Sequence, residues 1–449
     1  MKFCYFRNLP ISLLCMLILV LIIFQVRPAG SRIYIDINSP LQEKIPIAVP
    51  AFRYEGGELA NKPLAKNMAD ILSNALSFSG FFQLLDPAVF LEDPDRMGIE
   101  KEEIKFSEWR FLGADLLVRA SYLVQGERFE LKINLFDVIH QKLLLSRTYN
   151  SSVISVRDTI LRFADELMLE LTGELGIFHT KLAFVGDATG KKEIYLADFD
   201  GSNIRQLTND RSMNLSPNWS ADGKQISFVG YKKGNPDIYT IDPVSKAMER
   251  ISMRPGLNIA PAYHPNGGKL AATLSFTGNP ELYLLDLRGQ ILKQLTLSWS
   301  IDVSSSWSPD GSKLAYVSNR AGKPQIYLLD VDKETTTRLT FEGDYNTSPA
   351  WSPRGDRILY SGLHNGKFNI FMISPDGREL SQLTGGEGNN EDPCWSPDGR
   401  LVLFQSDRNG TPTLWVMQAN GTDQRRLRLA LGGSHAEPDW SPRLTRTAP

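Results

Sequence analysis

The chain has 449 residues, 42% hydrophobic and 22% charged, with a formal net charge of −2. That is enough apolar material for two packed domains, and the absence of any basic tail or stripe argues against a nucleic-acid partner. Three cysteines, two of them within the first 15 residues, exclude a disulfide framework.

Lys2 and Arg7 precede an apolar run from Ile11 to Phe24. The run is short for a membrane span, which needs about 20 residues. Residues 1–30 are therefore predicted to be a secretory signal peptide, with Ala29 and Gly30 in the cleavage region. An uncleaved anchor is the alternative, and Leu14 before Cys15 does not suit a lipoprotein. Cleavage removes Lys2, Arg7 and Arg27 and no acid, taking the net charge to −5. Cys394, beside Trp395, is then the one remaining cysteine and is predicted to be a small buried apolar group.

Residues 31–173 are predicted to form an α/β domain. Arg32-Ile33-Tyr34-Ile35-Asp36-Ile37 alternates as a strand does, and Ile45–Pro50 is a second extended segment. Leu64, Met68, Ile71, Leu72, Ala75 and Leu76 fall on one face of a helix that Gly80 ends. Phe81–Leu85 is a strand, and the charged stretch 92–105 is a loop with a helical turn. Strands follow over Asp115–Val124, Phe129–Asp137 and Leu143–Tyr149, the first two joined by a hairpin at Gly126-Glu127. Ser155 and Asp158 have the spacing of a capping box, opening a helix that runs to Gly173. A short link near Gly176 leads on.

From there the sequence repeats. An aromatic before a short polar turn recurs at Trp219, Tyr263, Trp307, Trp351, Trp395 and Trp440, spaced by 44, 44, 44, 44 and 45 residues. Apolar-aromatic pairs (Ile194-Tyr195 to Leu414-Trp415) and glycines (190, 234, 278, 322, 366, 410) keep the same step. A Leu-Thr-like pair does so until it degrades to Leu427-Arg428. A period in the low forties with four short strands per copy is the signature of a β-propeller blade. The first copy lacks an aromatic inner strand, while a surplus one, Ala436–Ser441, lies at the far end. The prediction is a six-bladed propeller over 178–442, closed by the C-terminal strand, which removes the free edges.

No catalytic constellation emerges. Gly186–Lys191 lacks the spacing of a phosphate loop, and Asp198-Phe199-Asp200-Gly201 has no bidentate Glu at the offset a calcium loop needs. His140, His179, His264, His364 and His435 share no metal-ligand spacing, and no nucleophile elbow occurs. No cofactor or metal is predicted, and an ion in the channel is left open. A rival reading, a propeller enzyme or carbohydrate-binding module, would need convergent titratable groups in the channel. The inner-strand positions next to the aromatics (Asn218, Ala262, Ser306, Ala350, Cys394, Asp439) supply a single acid. The loops entering the inner strands carry Asn214, Asn258, Asp302, Tyr345, Asn346, Asn389, Asn390, Glu391 and His435, predicted to form a polar rim around one mouth where a partner docks.

The combination of the signal, the Arg32–Asp36 strand, Ile45–Pro50, Trp109…Gly113-Ala114-Asp115, Leu171-Thr172-Gly173 and the repeated Trp-Ser-Pro-Asp-Gly resembles the TolB family of the periplasmic Tol–Pal envelope system. The resemblance implies a non-enzymatic adaptor, with the lipoprotein Pal bound at the propeller mouth and inner-membrane TolA contacted by the N-terminal segment and domain. It implies a role in outer-membrane constriction at division and in envelope integrity. It places Asn258, Ala260 and Val303 on the Pal-binding surface and Arg32, Ile33, Tyr34, Ile35 and Asp36 in the TolA-contacting start. Tyr263-His264-Pro265-Asn266 departs from the usual turn.

Overall fold

A computed structural model describes residues 44–444 apart from 57–61, 94–95, 97 and 387. The expected signal peptide and the expected strand Arg32–Ile37 lie outside the described residues.

The N-terminal domain runs β1 (Ile45–Ala48), β2 (Arg53–Tyr54), α1 (Lys62–Ser79), β3 (Phe82–Leu84), α2 (Phe106–Phe111), β4 (Leu116–Gln125), β5 (Arg128–Asp137), β6 (Lys142–Ser152) and α3 (Val156–Thr172). The sheet order is β3-β1-β4-β5-β6, with β2 also on β4; β1 lies parallel to β3 and β4, and β4 to β6 form an antiparallel meander. Met68, Leu72 and Leu76 of α1 and Ile160, Phe163 and Leu167 of α3 are fully buried against Leu116, Leu131, Ile133 and Leu135 of the sheet. Both helices stop where a glycine turns left-handed, Gly80 (φ +80°) and Gly173 (φ +78°).

One local expectation fails. A 3₁₀ turn over Val153–Ser155 precedes α3 and holds Ser155 at φ −93°, ψ 10°, so its hydroxyl does not cap the helix and meets Ser152 Oγ instead. Asp158 is turned to His179 Nε2 (2.9 Å). The charged stretch holds its expected helical turn, at Lys101–Glu103, and is followed by α2, which carries Trp109 into a core with Ala48, Leu117 and Phe136.

The propeller has six four-stranded antiparallel sheets. Blade 1 takes its three outer strands from Lys181–Gly186, Glu193–Asp198 and Arg205–Gln206, and its inner strand, His435–Trp440, from the end of the chain. The inner strands of blades 2 to 6 are Asn214–Trp219, Asn258–Tyr263, Asp302–Trp307, Asn346–Trp351 and Asn390–Trp395. The predicted architecture and its closure by the C-terminal strand are both present.

Every inner strand bulges at its third residue, where pairing with the second strand slips. Ser216, Ala260, Ser304, Ser348, Asp392 and Glu437 there adopt φ between 46° and 54°. In five of the six a proline follows, which disfavours the right-handed helical alternative at the residue before it. The bulge turns these side chains into the channel.

Successive blades are tied by buried polar locks. Asn214 Nδ2 donates to Glu193 Oε2 at 2.9 Å, and Thr208 Oγ1 donates to the same oxygen at 2.5 Å while accepting from Ile194 N. Asn346, Gln325, Thr340 and Ile326 N repeat this arrangement between blades 4 and 5. Thr296 on Glu281 and Thr384 on Asn369 are further copies. At the closing junction, blade 6 to blade 1, the three positions hold Thr413, Arg428 and His435. Neither Thr413 Oγ1 nor either His435 ring nitrogen has a hydrogen-bond partner among the described residues. Burial lowers the His435 pKa and so favours the neutral ring, which lies edge-on to Phe184 at 5.7 Å. Rebuilding the lock with Thr413→Gln, Arg428→Thr and His435→Asn together is expected to stabilise the protein by about 1 kcal/mol, read as a raised Tm in thermal denaturation.

The N-terminal domain sits at the end of the ring opposite the loops that enter the inner strands. Phe78 of α1 meets Phe199 edge-on (5.0 Å), and Arg425 stacks on the Phe78 ring and donates to its carbonyl at 2.7 Å. Arg157 of α3 pairs with Asp200 at 2.7 Å. A Cβ at Gly80 would also push aside the end of the Gln418 side chain, whose Nε2 lies 1.9 Å from its position.

Candidate functional site: the propeller mouth and channel

Inner strands begin at the mouth, so their first residues stand just below its loops. Asn214, Asn258, Asp302, Asn346, Asn390 and His435 are all at most 2% exposed. Those expected rim residues are the interblade positions described above, and their polar atoms are directed into the ring. Asn258 Oδ1 accepts from Ser252 Oγ at 2.6 Å, Asp302 pairs with Arg320 at 2.8 Å, and Asn390 Oδ1 accepts from Arg408 Nη2 at 2.5 Å. The reason is geometric: a polar column in register at every blade serves the contact that every blade makes. Asn389 is half-buried, with its amide braced on Asp407 (3.0 Å) and Phe368 N (3.1 Å). Tyr345 is exposed and edge-on to Phe368; Ala260, Val303 and Glu391 are half-buried.

Large apolar side chains do project from the mouth, beside charged ones such as Glu342 and Asp344. Leu297, fully exposed Trp299 and Ile301 stand on the loop entering blade 4, and Phe341 and Tyr345 on the loop entering blade 5. Asn279 holds the Trp299 loop by donating to Ser298 O and Ser300 O (3.1 and 2.7 Å). Arg338 stacks on Phe341 at 4.8 Å. A braced loop that displays a tryptophan to solvent is the form of a protein-docking anchor.

Beneath lies a channel of 350 Å³ lined by the bulge residues, their prolines and the residues before the aromatics. One side of it, formed by blades 6 and 1, is acidic. Ser348 Oγ donates to Asp392 (2.7 Å), Ser216 N and Oγ to Glu437 (2.7 and 3.0 Å), and Trp219 N to Asp439 (2.6 Å). These groups open only onto the narrow channel, so burial dominates their ionisation. It raises Asp392 and Glu437, and it pushes Asp439 up to about 7 against the hydrogen bonds from Trp219 and Asn218. Glu391 at the lip is also pushed up to about 7, by burial first and then by Asp392 and Asp407. Reading only the position next to each aromatic found Asp439 and missed the bulge layer, where Asp392 and Glu437 face inward. Among the described residues no group of three His, Cys, Asp or Glu is placed to hold a metal ion.

Family models of the TolB amino-terminal domain and of the TolB beta propeller domain match residues 33–144 and 168–444. This chain belongs to the TolB family. It is 42% identical over 191 residues to the Tol-Pal system protein TolB of Desulfosudis oleivorans, covering 42% of this chain and 44% of the relative. It is 39% identical over 228 residues to that of Syntrophotalea carbinolica, covering 49% of each chain. These alignments span about half the length of the curated relatives. The crystal structure of TolB from Acinetobacter baumannii superposes with a TM-score of 0.78 at 27% identity, over 89% of this chain and 97% of that one.

In this TolB-family channel the raised carboxyls set a pH dependence. A folded-state pKa near 7 against about 4 when unfolded favours the protonated, folded form, so stability falls as pH climbs from about 4 through about 7. Asp439→Asn is expected to raise Tm at pH 8 and to flatten the pH 5–8 dependence relative to the parent. His435 acts in the opposite sense at the acid end, so the comparison of variant with parent in thermal denaturation is the measure.

Proposed function

We propose that the protein is a non-enzymatic periplasmic adaptor of the Tol–Pal system, linking TolA at the inner membrane to Pal at the outer membrane. On this reading it supports outer-membrane invagination at division. Pal docks on the mouth, and the segment Arg32–Asp36 with its domain engages TolA, the segment adding as a strand to a partner's sheet edge. The observation that carries the reading is the apolar arc around Trp299, displayed on braced loops at the end of the ring turned away from the N-terminal domain. Two partners can then bind without competing for surface. Ala260, Val303, Tyr345 and Glu391 border the same mouth and belong to the proposed contact, whereas the six buried polar residues act by holding its loops.

The convergent carboxyls are what the enzymatic or carbohydrate-binding alternative asks for. Glu437 and Asp439 are nonetheless engaged by backbone N–H groups of the next inner strand, which suits a structural role. The test is calorimetric titration with the soluble domain of Pal from the same organism and, separately, with that of TolA. Trp299→Ala is expected to weaken Pal at least ~30-fold, on the scale of a central aromatic anchor, and to leave TolA binding unchanged. Deleting residues 31–37 is expected to abolish TolA binding and spare Pal. Loss of both by either change, in a folded protein, would contradict the adaptor reading.

A further inference from the structure

At the end of the ring opposite the mouth, three guanidinium groups from three adjacent blades converge on one atom. Nη2 of Arg354, Arg400 and Arg443 lie 3.6, 3.7 and 3.9 Å from Oε2 of Glu174, the residue just past the end of α3. All three separations exceed hydrogen-bond length, so Glu174 neutralises the cluster electrostatically without bonding to any member of it. Its carboxylate is 40% exposed and free to exchange with solvent ions.

Arg400 is the anomaly in this group. Its side chain is nine-tenths buried, stacked 4.5 Å over the Phe81 ring, and its Nε and Nη2 make no hydrogen bond among the described residues. Arg443 spends its fork on the link, donating to Leu175 O (2.8 Å) and Gly176 O (3.3 Å), and Arg354 Nε donates to Asp398 O (2.8 Å). The Asp398 carboxylate is turned back on its own turn, accepting from Ser396 Oγ (2.5 Å) and Arg400 N (3.2 Å). Among the described residues, two carboxylates, Glu174 and Asp398, lie near the Arg400 guanidinium. Leaving guanidinium N–H groups buried and unbonded costs free energy, and the group that best satisfies several converging forks is a phosphate-like oxyanion with an oxygen for each.

We propose that this far end of the propeller is a binding site for a phosphate-class oxyanion, held by Arg354, Arg400 and Arg443, with Glu174 as the built-in occupant that it displaces or joins. Because Arg443 also grips Leu175 and Gly176, occupancy would tighten the link between the two domains. This site is independent of the adaptor reading and of the mouth.

The experiment is calorimetric titration of the full-length protein with inorganic phosphate, and in a second arm with glycerol 3-phosphate, against chloride at equal ionic strength; Tm is read in parallel. Saturable phosphate binding is expected, tightened ~5-fold by Glu174→Gln, which removes the competing carboxylate. Arg354→Gln, at a partly exposed position, is expected to weaken it at least about tenfold. Equal affinity for the phosphate ester would mark the site as one for a phosphorylated molecule, and selective loss of that arm as one for the free ion. Two results would overturn the proposal: no phosphate-specific heat or Tm shift in either the parent or Glu174→Gln, or binding that Arg354→Gln leaves unchanged.

Discussion

Pairing of the last described strand with the first strand of the propeller is the constraint from which the rest follows. A blade cannot bury both of its faces alone, so six blades form a stable body only as a closed ring. His435–Trp440 closes it against Lys181–Gly186, 260 residues or so away in sequence, and Trp440 Nε1 donates to Thr180 Oγ1 at 2.8 Å at the entrance to the ring. The same tryptophan lies in a continuous core that runs from the helices of the N-terminal domain through Phe178 and Phe199 to Leu401 and Leu403 of blade 6. Closing the ring and seating the N-terminal domain are therefore one packing event.

Closure also explains how the two ends of the ring come to differ. The repeated elements, the bulges, the polar locks and the hairpin glycines, are spent on building the ring. What breaks the symmetry is local: Trp299 and Phe341 on two of the six mouth loops, Asp392 and Glu437 on two of the six bulges, and three arginines around Glu174 at the far end. The closing junction is itself an exception, because His435 replaces asparagine and leaves its lock unmade.

Period is what made the fold legible. A 44-residue step in four columns, with a missing first aromatic and a surplus last one, determines blade number and closure without any knowledge of side-chain contacts. The mouth was harder to read because periodicity was followed one step too far. Asn214, Asn258, Asn346 and Asn390 look like a ring of loop-tip residues, yet recurrence at every blade marks them as lock positions. The irregular residues between the columns, such as Trp299, are the ones that solvent sees. The channel acids were missed because a bulge shifts which positions face inward, and the register slip at Asp392 and Glu437 shows only in the pairing. Ser155 failed as a cap for a comparable reason, since a preceding 3₁₀ turn changes its backbone.

Hydrogen–deuterium exchange of the full-length protein with and without the soluble domain of Pal tests most directly the claim that the mouth is the docking surface. The account predicts protection concentrated in the loops over residues 295–301, 341–345 and 388–391. It also predicts little change in the turns that face the N-terminal domain, around 199–204 and 419–424. Protection confined to those turns or to the N-terminal sheet, with the mouth loops exchanging as before, would contradict it.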